Sequence, residues 1–157
     1  MREKIREKIE LVKNIFEEDP FNLVIGDIEK ELEIDTNIKS GPLHDYYVFL
    51  SEYSSFRCGS VIIFGKNELD EFQFPVTDMP GDFEEWICIG KIEPYPLFIN
   101  KKNGQLSCLI GEPGVNLKIE CYGEFDDFLE KYVFGEAYVE IAGKDDWYQL
   151  LKDHQLI

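Results

Sequence analysis

Four neighbouring carboxylate pairs stand out as chemistry-bearing residues: Asp70-Glu71, Glu84-Glu85, Asp126-Asp127 and Asp145-Asp146. Paired carboxylates can hydrolyse glycosides when one is held protonated and the other ionised at a set separation. That reading needs two of them buried, unpaired and facing one cleft. With 32 acidic residues in 157, adjacent pairs also arise without any such purpose. Asp126 and Asp127 fall in the first turn of an expected helix, where negative charge stabilises exposed N–H groups. The two histidines, His44 and His154, have no Gly-x-Ser-x-Gly motif beside them, so no His-based triad is read. Cys58, Cys88, Cys108 and Cys121 form no Cys-x-x-Cys pair, which argues against zinc. Each sits in apolar or strand-like sequence, so four buried free thiols are expected. Gly111-Glu112-Pro113-Gly114 is too short and too acidic to cradle a phosphate. No catalytic residue, cofactor or metal ligand is therefore assigned, and a non-enzymatic role is expected.

Charge is the stronger signal. The formal net charge is −16, and the acidic excess concentrates beyond Lys66. Between Lys66 and Lys91 there is no basic residue, while Glu68, Asp70, Glu71, Asp78, Asp82, Glu84 and Glu85 lie there. Nucleic acid and anionic membranes need a cationic face, so both are poor partners. A basic protein is the natural complement. Aromatic groups ringed by carboxylates are common ingredients of a protein-binding hot spot. The candidate partner-binding residues are Glu68, Asp70, Glu71, Phe72, Asp82, Glu84, Glu85 and Trp86, with Phe72 and Trp86 as anchors. The competing reading is an acidic surface that only keeps the protein soluble.

The elements that must position these groups follow from periodicity. The chain suits one domain spanning residues 1–157. At 44% hydrophobic and 14% aromatic, it is too apolar for a disordered chain. Ile5, Ile9, Val12 and Phe16 mark a helix ending near Asp19-Pro20. Ile28 to Ile34 reads as a short helix running into extended chain. Pro42 opens an aromatic helix carrying Leu43, Tyr46, Tyr47, Leu50 and Tyr53 on one face, and Gly59 breaks it. Strands are expected at Ser60 to Phe64, Glu71 to Val76, Trp86 to Gly90, Pro96 to Asn100, Gln105 to Ile110 and Leu117 to Cys121. Asn103-Gly104 marks a hairpin, since both residues tolerate positive φ. Phe125, Phe128, Leu129, Tyr132 and Val133 restore helical spacing up to Gly135, and a last helix carries Trp147, Leu150 and Leu151. Helices, a strand meander and then helices give an α+β fold. Its sheet is mainly antiparallel, with about five or six strands flanked by N-terminal and C-terminal helices. The charged N-terminus lacks an apolar signal region, and no apolar run approaches a membrane span, so a cytoplasmic location is expected.

Several of these segments, in this order, resemble the SUKH superfamily of bacterial toxin-immunity proteins, which is related to a fungal regulator of cell-wall glucan synthesis. Ile28, Glu31, Leu32, Pro42, Leu43, Tyr46, Phe49 and Leu50 occupy the places of its early motif. Leu97-Phe98-Ile99-Asn100 with the Asn103-Gly104 turn is similar to its central hairpin. Phe125-Asp126-Asp127-Phe128-Leu129 is similar to its late acidic-aromatic helix. The chain departs from the pattern in the order Pro42-Leu43 and in carrying Ser54-Ser55 where a glycine turn is usual. The resemblance implies an antidote that occupies a cognate toxin, many of which are nucleases with basic clefts. It equally implies, through the fungal relatives, a regulatory or scaffolding module that binds an endogenous protein.

Overall fold

Seven strands pair in sequence order, each antiparallel to its neighbours. They are β1 (Gly26–Lys30), β2 (Tyr53–Cys58), β3 (Val61–Ile63), β4 (Trp86–Ile92), β5 (Tyr95–Asn100), β6 (Gln105–Ile110) and β7 (Lys118–Glu124). The computed structural model describes all residues, 1–157. The α+β class and the flanking helices agree with the sequence reading, with a somewhat larger sheet. No helix is long and apolar enough to cross a membrane.

One face of the sheet carries the main helices. These are α1 (Glu3–Glu18), α2 (His44–Glu52), α5 (Phe125–Phe128), which widens into a π turn over Leu129–Val133, α6 (Tyr138–Ala142) and α7 (Asp146–Asp153). Helix α1 buries Ile5, Ile9, Val12 and Phe16, the residues that its spacing singles out, together with Ile15, and it stops at Asp19 before Pro20. Asp145 caps α7 by accepting the Tyr148 N–H at 3.0 Å. Phe49, Tyr46, Phe125, Phe134 and Trp147 join the strands in one cluster of 30 buried residues. Arg2 reaches Asp127 at 2.7 Å and Glu130 at 3.0 Å, and Lys4 reaches Glu130 at 2.7 Å, so charges at the start of α1 clasp the turn after β7.

Three sequence readings are overturned. Ile28 to Ile34 begins as strand β1, with Ile28 opposite Phe56, because pairing with β2 outweighs a weak local helix pattern. Tyr53 ends the helical run and starts β2, a strand placed inside what reads as helix and turn. Glu71 to Val76 is no strand. It lies in two 3-10 turns, Asp70–Phe72 and Phe74–Asp78, with Pro75 in the first turn of the second, where its fixed φ fits and its missing N–H costs nothing.

The β2–β3 turn shows how tightly the sheet and helices are locked. Gly59 has φ +58°, and a Cβ there would lie 2.3 Å from the Tyr138 hydroxyl. That hydroxyl accepts the Ser60 N–H at 2.9 Å and donates to Asp145 Oδ2 at 2.6 Å. The residue types at positions 59, 138 and 145 therefore act together, fixing α6 and α7 against the turn.

Candidate functional site

The segment between β3 and β4 covers part of the opposite sheet face. It contains α3 (Lys66–Leu69), the two 3-10 turns and α4 (Asp82–Glu85). Its buried residues Val76 and Met79 pack with Phe64, Trp86, Cys88, Phe98 and Leu109 in a second, smaller core. Gln73 pins it in place. The Gln73 side chain donates to the Leu69 and Cys88 carbonyls at 2.8 and 2.7 Å and accepts the Cys88 N–H at 3.0 Å. One amide thus satisfies both backbone groups of Cys88, where the β4–β5 register shifts between Cys88 and Gly90.

The sequence candidates divide into two groups. Glu68, Asp70, Glu71 and Phe72 are exposed at the start of the segment. Asp82 and Glu84 are exposed at its end, in α4, and Glu85 is half-buried there. Glu85 is ion-paired to Lys102 at 2.6 Å, and Lys101 donates to the Phe83 carbonyl. The α4 end is therefore partly neutralised by the β5–β6 turn. Trp86 is buried, packs edge-on against Phe98 and donates from its indole N–H to the Pro80 carbonyl at 2.8 Å. Its position is that of a support beneath the segment, not of an exposed anchor.

Glu68 and Phe72 of the first group line a groove of about 540 Å³, and Asp70 and Glu71 lie outside it. Its apolar wall includes Ile62, Phe64, Phe72, Phe74 and the rings of Pro75, Pro94 and Pro96, and its charges are Glu68, Asp78 and Lys91. Phe72 stacks on Phe64 with centroids 4.7 Å apart. Phe74 is 72% exposed, a large aromatic held open to water. Lys91 is paired to Glu93 at 2.8 Å, whereas neither Glu68 nor Asp78 has a cationic partner. Phe74 and Asp78 are groove residues that the sequence candidates did not include. Pro75 was the available signal for a turn in place of a strand, since its fixed φ suits position i+1 of a turn.

The carboxylate pairs do not assemble into an acid–base centre. Asp126 is the one buried carboxylate. It lies in the first turn of α5, where Oδ2 accepts the Arg2 N–H at 2.7 Å and Oδ1 has no partner. Asp127 pairs with Arg2, Asp145 caps α7, and Asp70, Glu71 and Glu84 face water. His44 begins α2 with Nδ1 3.2 Å from the Lys39 carbonyl, and His154 ends α7. No group of three or more His, Cys, Asp or Glu side chains is arranged to hold a metal ion.

Asp126 gives a pH signature. Burial raises its pKa above the ordinary 3.8, and Asp45 adds to this, while the Arg2 N–H, the terminal ammonium and the Arg2 side chain oppose it. The native state then takes up this proton more readily than the unfolded chain. Its contribution is unfavourable at neutral pH, is relieved as pH falls through the raised value, and is fully relieved below the ordinary one. Asp126→Asn keeps an acceptor for Arg2 and removes the titration. Its stability relative to the parent should improve as pH rises from about 4 to 7, as read by urea unfolding. A difference that stays flat over that range would show the carboxyl to be unshifted.

Three cysteines agree with the buried-thiol expectation and one does not. Cys58, Cys88 and Cys108 are buried and Cys121 is exposed on β7, all as free thiols. Burial lifts the Cys88 thiol to about 11 and the Cys108 thiol to about 12, with Cys58 also well above its usual range. Thiolate is the reactive form. A chromogenic disulfide reagent should modify Cys121 in the native protein and the other three only after denaturation. Cys121→Ser should abolish the native reaction.

No protein-family model matches the chain, and neither a curated protein nor a solved structure matches it.

Proposed function

We propose that this protein is a non-enzymatic antidote that binds and blocks a cognate basic effector, in the manner of the SUKH immunity proteins that its motifs resemble. The observation that carries the reading is the segment between Lys66 and Lys91. It lacks basic residues, it is fastened to the sheet by Gln73 and Trp86, and it displays Phe72 and Phe74 among carboxylates. A fixed acidic surface with exposed aromatics suits fast capture of a cationic cleft followed by apolar seating. Its rigidity matters because little ordering entropy is lost on binding. Charge-rich flexible loops do not share that advantage.

The direct test is co-expression with the effector encoded beside it. The antidote reading expects growth to be restored and a stable complex to be isolated. An effector that stays toxic and does not associate, with the protein folded and abundant, rejects it.

A further inference from the structure

We propose that the groove beside α3 is a receptor for an arginine side chain presented on an extended segment of the partner. This rests on reading the segment as a partner-binding surface, and it names the chemistry of what seats there. Three observations meet at one place. Phe72 and Phe74 offer aromatic faces, Phe72 being held in position by its stack on Phe64. Glu68 and Asp78 line the same groove without a cation of their own. The one cation in the lining, Lys91, is already matched by Glu93. The groove therefore has uncompensated negative charge beside flat apolar walls.

A guanidinium meets both demands. Its plane stacks on an aromatic ring, its N–H groups fork to carboxylates, and it sheds water more readily than an ammonium. Lysine satisfies the charge but not the plane. An acidic or neutral side chain meets unpaired carboxylates. A volume of about 540 Å³ also exceeds a single side chain, leaving room for the residues on either side of it. Pro75, Pro94 and Pro96 offer apolar rings and no N–H groups, so at those three residues the flanking chain is held by packing and not by backbone donors.

The experiment titrates the full-length protein with three short peptides alike except for one central residue: arginine, lysine or citrulline. Amide shifts are followed by heteronuclear NMR. The arginine peptide is expected to shift resonances around Phe72, Phe74 and Asp78 and to bind more tightly than the lysine peptide, with citrulline weakest. Phe74→Ala and Asp78→Asn, both at exposed positions, should each weaken the arginine peptide by about fivefold to tenfold. Equal binding of arginine and citrulline peptides, or arginine binding unchanged in both variants, overturns the proposal. Shifts centred on α4 overturn it as well. The broader reading fails by a different measurement, the effector's own association after charge reversal. A silent peptide with reversal-sensitive effector binding removes the arginine receptor and leaves the acidic surface standing.

Discussion

Reversing Glu68, Asp70, Glu71 and Asp78 to lysine is expected to slow association with a basic effector about tenfold to a hundredfold at low salt. Long-range attraction sets the encounter rate, so the parent protein should lose most of its advantage as salt shortens the Debye length to about 8 Å at physiological strength. Surface plasmon resonance over a salt series separates the two effects. The parent's association rate should fall steeply with salt, and the reversed variant's should be nearly flat. The fold should survive, since these side chains are exposed and none is in an ion pair. The positional control compares Glu84 and Glu85 reversed together with Asp70 and Glu71 reversed together, two changes that alter the net charge equally. Glu85 is already compensated by Lys102, so the change at Glu84 and Glu85 should slow association less. Equal slowing from both ends would mean that only total charge matters. Unchanged association from either would make the segment a solubilising surface and move recognition elsewhere.

The largest stability effect should come from Trp147→Ala. Trp147 is fully buried between Phe16 and Phe134, with centroids 5.8 and 6.0 Å away. Its indole N–H donates to the Val133 carbonyl at 2.9 Å, at the end of the π turn. Truncation opens a cavity where α1, α7 and the π turn meet, and it leaves that carbonyl without its donor. The expected cost is about 3–5 kcal/mol, the range for buried aromatic-to-alanine changes. For a chain of this size that corresponds to a melting temperature lower by about 6–20 °C. Trp147→Phe keeps much of the ring and loses the hydrogen bond, so it should fall between the two. Circular dichroism during urea unfolding is the suitable probe, because Trp86 alone remains to fluoresce. A loss below about 1 kcal/mol would mean that the helix layer repacks freely, contrary to close-packed interiors.

Legibility followed how local each determinant is. Helix α1 and the α5 helical start were readable because their own spacing decides which side is buried, and strand β6 because it is a short apolar run next to a turn, buried on both faces. The Asn103-Gly104 hairpin was readable because turn chemistry is local. Strand β2 was hidden because Tyr53-Ser54-Ser55-Phe56 follows a helix without punctuation, and its partner Ile28 lies far upstream. The acidic segment was legible as charge but not as shape. Its turns depend on Gln73 reaching Cys88, fifteen residues away, and an isolated glutamine carries no signal of that role. Burial of Trp86 beneath Pro80 was likewise a tertiary outcome, since an aromatic beside carboxylates reads equally as anchor or as core.

The strand order has a kinetic side. Because every strand lies beside its sequence neighbours, β2–β3 and the β4–β7 run can zip with small loop-closure costs, and only the β1–β2 and β3–β4 pairings close longer connections. The helix layer is different. Arg2 and Lys4 meet Asp127 and Glu130 more than 120 residues later. During synthesis, α1 leaves the ribosome before any strand of the sheet, and the α5 and π-turn carboxylates that its charges clasp leave it after all seven strands. The apolar stripe of α1 can pack at once on β1 and the turn before it, but part of that sheet face stays bare until α5 and the later helices arrive. The chain is thus at its most adhesive just before α5 emerges, and that is the interval in which a chaperone has most to shield.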